Sequence, residues 1–74
     1  MTLRLTQLAP GQQARVVEVR ASDPARLNRL GAYGLVPGSL VRLQQQRPTL
    51  ILRVDETEVA IDDAVGREIL VNLA

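Results

Sequence analysis

Most of the acidic side chains lie close together toward the C-terminal end of the sequence. Asp55, Glu56 and Glu58 are followed closely by Asp62 and Asp63. Carboxylate oxygens are the ligands that Mg²⁺ and Ca²⁺ prefer, and paired carboxylates in a dry cleft can perform acid–base catalysis. However, adjacent residues on an extended segment point to opposite faces, and charges at a hairpin tip are ordinarily solvated. We therefore interpret Asp62 and Asp63 as caps of a short turn, and we expect neither a metal site nor a catalytic pair.

The sequence contains no cysteine and no histidine. Disulfides, thiolate or imidazole metal sites, histidine-ligated haem and nucleophilic triads are therefore excluded. The glycines form no phosphate-binding loop, because Gly31 and Gly34 lie within and at the end of a predicted helix and no Gly-Lys-Ser/Thr follows them. We expect a protein that is not an enzyme and that holds no cofactor.

Charge is divided unevenly along the chain. Residues 1–53 carry eight arginines and two acids, a net charge of +6, whereas residues 54–74 carry one arginine and six acids, a net charge of −5. Proteins that bind single-stranded nucleic acid need aromatic side chains beside the basic ones. Tyr33 is the sole aromatic residue, so we expect no nucleic-acid partner. In a compact domain the two segments would neutralise each other; a charged docking face is the alternative.

The chain has 74 residues, of which 46% are hydrophobic. This length supports one core, so we expect a single domain over residues 1–74. Apolar runs such as Leu50–Leu52 are far too short to span a membrane, and residues 1–12 lack the apolar stretch of a signal peptide. These features favour a soluble, cytoplasmic protein that does not insert into a membrane.

The first half of the chain predicts a strand followed by a helix. Ala14–Arg20 is short and β-branched, which favours a strand. Asp23 can cap a helix that begins at Pro24, because proline lacks the donor that would be unsatisfied there. Gly34 is well placed to end this helix in a left-handed conformation.

Strand patterns dominate after a turn at Pro37-Gly38. Pro48 interrupts the pattern, and Asp55-Glu56 suits a tight turn. We predict strands at Leu40–Arg47, Thr49–Asp55, Thr57–Ile61 and Glu68–Leu73, with a single short turn, which could be 3₁₀, at Asp62–Gly66. So few strands must close on themselves to cover their edges. The prediction is a mainly β fold, a small SH3-like barrel of about five strands with one short helix after the first strand.

The segment Arg29–Ser39, with the sequence RLGAYGLVPGS, resembles the signature of the FeoA family of bacterial ferrous iron transport. That signature runs Arg-Leu, two residues, an apolar residue, then Gly-Leu-x-Pro-Gly-Ser/Thr. Further segments are similar to the opening, the strands and the closing turn of the family: Leu8–Gly11, Ala14–Val16, Arg47–Pro48, Ile51–Val54, Glu58–Asp62 and Ala64–Val71. The resemblance covers nearly all of the chain, and its strength lies in the ordered set.

The resemblance implies a cytoplasmic accessory protein with an SH3-like barrel and a role in iron homeostasis. Such a protein would dock on the cytoplasmic GTPase part of the membrane transporter FeoB and could lie peripherally at the inner membrane through that partner. Transition-metal binding is a term attached to the family, but the resemblance implies neither an enzyme nor an iron binder. Two alternatives stay open: the C-terminal SH3-like domain of a DtxR-type metal-dependent repressor, or an SH3-like adaptor with another protein partner.

The predicted helix Pro24–Tyr33 is the candidate docking surface, because the barrel does not need it for closure. Its candidate contact residues are Arg26, Arg29, Leu30 and Tyr33. The two arginines are three residues apart and so share one face; we expect both to be exposed, so that replacing both with Glu would preserve the fold. Leu27, Leu30 and Tyr33 form an apolar stripe. Core packing is the competing interpretation of Leu30, and a core or half-buried position in the helix is the competing interpretation of Tyr33. The acidic hairpin at Asp55–Glu58 is the alternative surface.

Overall fold

The computed structural model describes all residues from 1 to 74 and contains six strands, two helices and one 3₁₀ turn. In chain order these are β1 (Thr2–Arg4), a 3₁₀ turn (Leu5–Gln7), β2 (Gln13–Val19), α1 (Pro24–Ala32), β3 (Leu40–Gln45), β4 (Leu50–Val54), β5 (Thr57–Ile61), α2 (Asp63–Gly66) and β6 (Ile69–Leu73). Neither helix has the length and apolar character needed to cross a bilayer.

All six strands belong to one antiparallel sheet in the order β1-β6-β2-β3-β4-β5. The predicted mainly β class with a short helix is therefore confirmed, with one strand more than expected. The additional strand is β1, which pairs Thr2 with Asn72 and Arg4 with Leu70. Its three residues carry too short a pattern to predict a strand, and its partner lies at the other end of the chain. Because β1 exists, α1 follows the second strand and not the first.

The sheet wraps around one aliphatic core of fifteen buried residues. Alternation in the strands supplies most of them, as in β3, where Val41 and Leu43 are buried between exposed neighbours. No polar or charged side chain is buried. The core thus depends on close aliphatic packing alone, without aromatic side chains or internal polar networks.

Two predicted breaks in the strand pattern are confirmed. β3 ends at Gln45 and β4 begins at Leu50, so the segment with Pro48 does separate two strands. The β4–β5 hairpin closes with Val54 opposite Thr57, and Asp55 takes a positive φ of 55° in the two-residue turn. A positive φ at the first turn residue is a feature of the type I′ and type II′ turns, whose twist matches that of the two strands in a hairpin.

Helix α1 is capped at both ends by the residues that the sequence indicated. The Asp23 carboxylate accepts a hydrogen bond from the Ala25 amide at 3.0 Å, and Pro24 occupies the first turn. At the other end Gly34 has φ 89°. Its amide donates to the Gly31 carbonyl, and the Leu35 amide donates to the Leu30 carbonyl, both at 3.0 Å. This is the Schellman arrangement.

The chain then reverses through a compact loop at 34–39. The Ser39 amide donates to the Val36 carbonyl at 3.0 Å across Pro37-Gly38, and Gly38 has φ 95°. Proline followed by a residue with positive φ is the combination that a type II turn requires. The Ser39 hydroxyl donates to the Gly34 carbonyl. The loop therefore ties the end of α1 to the start of β3.

We expect Gly34→Val to lower the free energy of unfolding by about 1–3 kcal/mol, because a β-branched residue resists a positive φ. A Cβ at this position would also lie 3.2 Å from Cγ1 of Val54. Gly31→Ala is the matched control: Gly31 is helical, and its new Cβ would meet only Val36 at 3.9 Å. It should be neutral or stabilise by up to about 1 kcal/mol. Denaturant unfolding compares the two variants, and equal stabilities would contradict this account of the helix end.

Candidate functional site

A cleft of about 190 Å³ lies between α1 and the segment that joins β5 to α2. One wall consists of the four candidate residues Arg26, Arg29, Leu30 and Tyr33. The other wall is formed by Ala60, Ile61, Asp62 and Val65. The structure therefore brings all four candidates of the sequence analysis to one concave surface, which we call the α1 cleft.

Helical geometry explains why these four side chains meet. At about 100° per residue, Arg26, Arg29, Leu30 and Tyr33 fall within roughly one quarter to one third of the helix circumference. Leu27 lies on the other side of Leu30, and its side chain is 45% exposed. The predicted apolar stripe is therefore not a buried stripe: of its three members, only Leu30 enters the core.

The side chain of Leu30 is 2% exposed and belongs to the core. It is therefore not available as an exposed docking contact, and the packing interpretation of this residue is correct. It is also the one residue of α1 that is buried. Leu30 forms the floor of the α1 cleft and attaches the helix to the barrel, so any contribution to docking is indirect.

Arg26 is also engaged within the protein. Its Nη1 donates to Oε1 of Glu68 at 2.8 Å, and the two side chains are 40% and 25% exposed. This ion pair links α1 to the residue before β6, 42 positions along the chain. The expectation that Arg26 and Arg29 are equally free is therefore wrong, because Arg26→Glu would place a carboxylate against Glu68.

Arg29 and Tyr33 are the accessible polar groups on the α1 wall. Both side chains are exposed, Tyr33 to 41%, so of the two positions considered for Tyr33 the half-buried one is correct and the core one is not. Three ion pairs form in the structure, and Arg29 takes part in none of them. A free guanidinium beside a half-exposed aromatic ring is an arrangement typical of interface centres.

The opposite wall was missed by sequence reasoning. Asp62 was interpreted as a cap, and it does precede α2, whose amides at Gly66 and Arg67 donate to the carbonyls of Asp62 and Asp63 in α-helical fashion. Its carboxylate, however, makes no capping hydrogen bond, and Asp62 lines the cleft. No local signal could have revealed this, because the wall lies about thirty residues from α1 along the chain.

The chemistry available here is that of binding. The cleft combines an apolar floor with two guanidinium groups, one phenol and one carboxylate. Nowhere does the structure bring together three or more side chains that could hold a metal ion. Asp62 and Asp63, the neighbouring carboxylates, are used differently: Asp62 faces the cleft, and Asp63 pairs with Arg67 at 3.0 Å.

The family model described as the FeoA domain matches residues 3–73. Among solved structures, an iron uptake regulatory protein (FeoA) is 22% identical, with a TM-score of 0.89 over 100% of this chain and 99% of that one. FeoA of Stenotrophomonas maltophilia complexed with zinc, described as an SH3 domain protein, is 27% identical, with a TM-score of 0.81 over 97% and 89% of the two chains.

T. acidophilum IdeR is 25% identical, with a TM-score of 0.91. The match covers 99% of this chain but only 34% of IdeR, so this chain spans about a third of that protein. A search of curated proteins finds no match. These matches confirm the SH3-like fold that the sequence predicted. They also confirm the expected relationship to FeoA proteins and to the SH3-like domain of DtxR-type repressors.

The link between α1 and the barrel can be tested at the Arg26–Glu68 pair. We expect Arg26→Gln and Glu68→Gln each to lower the free energy of unfolding by about 1 kcal/mol, because the pair is partly shielded from solvent. The double variant should lose little more than either single variant. Arg20→Gln is the control, since the Arg20–Glu18 pair is 66% and 52% exposed and should contribute about 0.5 kcal/mol or less. Additive losses in the double variant would show that the two residues act independently.

Ferrous iron provides a second test. The chain offers only separate surface carboxylates, which are weak ligands for this ion without softer partners. Anaerobic calorimetric titration with Fe²⁺ should detect no stoichiometric site tighter than about 1 μM, or about −8 kcal/mol. A tighter site would contradict the reading of these carboxylates as solvated.

Proposed function

This chain belongs to the FeoA family, and we propose that it acts as an accessory protein of bacterial ferrous iron uptake that docks on the cytoplasmic GTPase part of the transporter FeoB. The observation that carries the docking proposal is the α1 cleft. There the exposed Arg29 and Tyr33 stand beside an apolar floor, without partners in the chain itself. The related S. maltophilia FeoA, itself proposed as a ferrous iron transport activating factor, supports the same role.

The composition of the cleft favours a protein partner. Arginine and tyrosine are enriched among the residues that dominate interface energies. Tyr33 supplies a large amphipathic surface with few rotatable bonds, and Leu30 supplies an apolar base beneath it. Arg29 would meet a carboxylate of the partner, because its charge is not offset by any acid within ion-pair distance.

Docking would require little rearrangement. Helix α1 is fixed by the Asp23 cap, the buried Leu30, the Arg26–Glu68 pair and the turn at Gly34. A surface that is already ordered loses less conformational entropy on binding than a mobile one. The protein would then bind the transporter as a preordered domain, and this partner would hold it at the cytoplasmic face of the membrane.

The match to T. acidophilum IdeR supports a second candidate, a domain of a metal-dependent repressor. Two observations favour the accessory role over this candidate. The FeoA domain model matches residues 3–73. One FeoA structure matches over 100% of this chain and 99% of its own. A gene for a large membrane GTPase beside the gene for this protein would discriminate between the two roles.

The docking proposal is tested with the cytoplasmic domain of the transporter by calorimetry. We expect Arg29→Glu to weaken binding at least about tenfold, since interface arginines of this kind contribute on the order of 1–2 kcal/mol. Its melting temperature should match that of the wild type, because Arg29 makes no ion pair. Arg47→Glu is the control: it makes the same charge change on an exposed residue outside the α1 cleft and should leave the affinity unchanged.

Two results would count against the proposal in different ways. If the wild-type protein does not bind the transporter domain, the proposed function fails. If binding is retained by a folded Arg29→Glu variant and is instead lost on replacing Glu56 with Lys, the partner is correct but the interface lies at the acidic hairpin Asp55–Glu58.

A further inference from the structure

A second concave surface lies on the outer face of strands β2, β3 and β4. This groove has a volume of about 400 Å³ and shares no lining residue with the α1 cleft. Its polar lining comes from Gln13, Arg42, Gln44, Arg53 and Asp55. Because the function proposed above makes no use of this surface, an inference about it stands independently.

Two arginines lie side by side on neighbouring strands that line this groove. In the sheet register Arg42 of β3 lies opposite Arg53 of β4, and Gln13 of β2 lies opposite Arg42 on the other side. Side chains that are opposed in this way have Cβ atoms about 4.5–5.5 Å apart. Gln44 lines the same groove, at the point where the register between β3 and β4 shifts by one residue.

Neither arginine forms an ion pair within the protein. The ion pairs of the structure involve Arg20, Arg26 and Arg67, and none involves Arg42 or Arg53. Glu58 is opposite Arg53 in the register, and Asp55 lines the same groove, yet neither comes within ion-pair distance of an arginine. Like charges placed directly opposite each other destabilise a sheet. Glu58 offsets part of this cost at Arg53, whereas Arg42 has only Gln13 on its other side.

We propose that this groove is a binding site for a phosphate-type dianion. Two guanidinium groups from neighbouring strands can each donate to a different oxygen of one phosphate group, whose charge of about −1.5 to −2 exceeds that of a single carboxylate. Guanidinium forks match the geometry of phosphate oxygens, and the amides of Gln13 and Gln44 add neutral donors.

The surroundings restrict the size of the ligand. Asp55 closes one end of the groove, and Glu56 and Glu58 continue the acidic hairpin beyond it. A long polyanion such as a nucleic acid would extend along these carboxylates and would be repelled more strongly than one phosphate group on a small molecule. Strands β3 and β4 are interior strands of the sheet, so the arginine backbones are held in place before any ligand arrives.

The full chain is titrated with inorganic phosphate in NMR experiments at constant ionic strength, with sodium chloride as the balancing salt. We expect saturable shifts of the backbone amides around Arg42 and Arg53, with a dissociation constant of about 1–10 mM for the bare anion. Arg42→Gln and Arg53→Gln should each weaken binding at least about tenfold. Sodium acetate, the carboxylate arm, should bind more weakly than phosphate by a similar factor.

Thermal stability provides a second measurement, in which replacing an arginine of the groove should raise the melting temperature although it lowers the affinity for phosphate. At low salt, without phosphate, Arg42→Gln should melt at a higher temperature than the wild type, because the like-charge repulsion with Arg53 is removed and no acid is opposite Arg42. Phosphate should raise the melting temperature of the wild type, since it binds the folded state, but not that of Arg42→Gln. A merely structural role for Arg42 would give the reverse, a lower melting temperature without phosphate.

Two control variants make the test decisive. Arg47→Gln removes one exposed positive charge outside the groove and should keep full phosphate affinity. Arg29→Glu should also keep it, so failure of this inference is separable from failure of the docking proposal. The inference is overturned if phosphate does not saturate, if Arg53→Gln binds as tightly as the wild type, if Arg47→Gln weakens binding equally, or if acetate binds as well as phosphate.

Discussion

The position of helix α1 depends on one backbone conformation, the positive φ of Gly34. Because α1 buries only Leu30, side-chain packing alone attaches it weakly to the barrel. The turn at Gly34 places Leu35 where its amide bonds back to the Leu30 carbonyl, and both leucines enter the same core. The cleft wall formed by Arg29 and Tyr33 exists because this reversal holds the helix end against the sheet.

The residue types in Arg29–Ser39, the segment that carries the family resemblance, are therefore explained mainly by the backbone conformations that this loop requires. Gly34 ends the helix, Pro37 and Gly38 form the turn, and Ser39 closes the loop through its hydroxyl and amide. None of these residues supplies a reactive group. A signature of this kind identifies a fold, and function has to be argued from the side chains that the fold displays. FeoA proteins and a segment of T. acidophilum IdeR share one fold with this chain.

Local features of the fold could be predicted because each has a local cause: alternation in β3, the cap at Asp23 and the hairpin turn at Asp55. The features that could not be predicted depend on contacts between residues that are distant in sequence. The pairing of β1 with β6 and the Arg26–Glu68 ion pair join positions more than forty residues apart. Of the candidate site, the residues of the α1 wall could be named from the sequence, but which of them are exposed and which are engaged within the protein depends on the packing.

The distribution of ion pairs shows how the charge asymmetry of the chain is used. Arg20–Glu18 lies within the basic segment, Arg67–Asp63 lies within the acidic one, and only Arg26–Glu68 joins the two. Ion pairing between the two segments is thus limited to one pair, although Arg29 shares the α1 cleft with Asp62 and Arg53 shares its groove with Asp55. Exposed charges contribute little affinity by themselves, because water screens them and competes for them. They orient and select a partner, whereas affinity at the α1 cleft must come from the accessible apolar surface of Tyr33 and of Ala60 and Val65 on the facing wall. At the β3–β4 groove, which offers little apolar surface, it must come from the convergence of two cations on one anion.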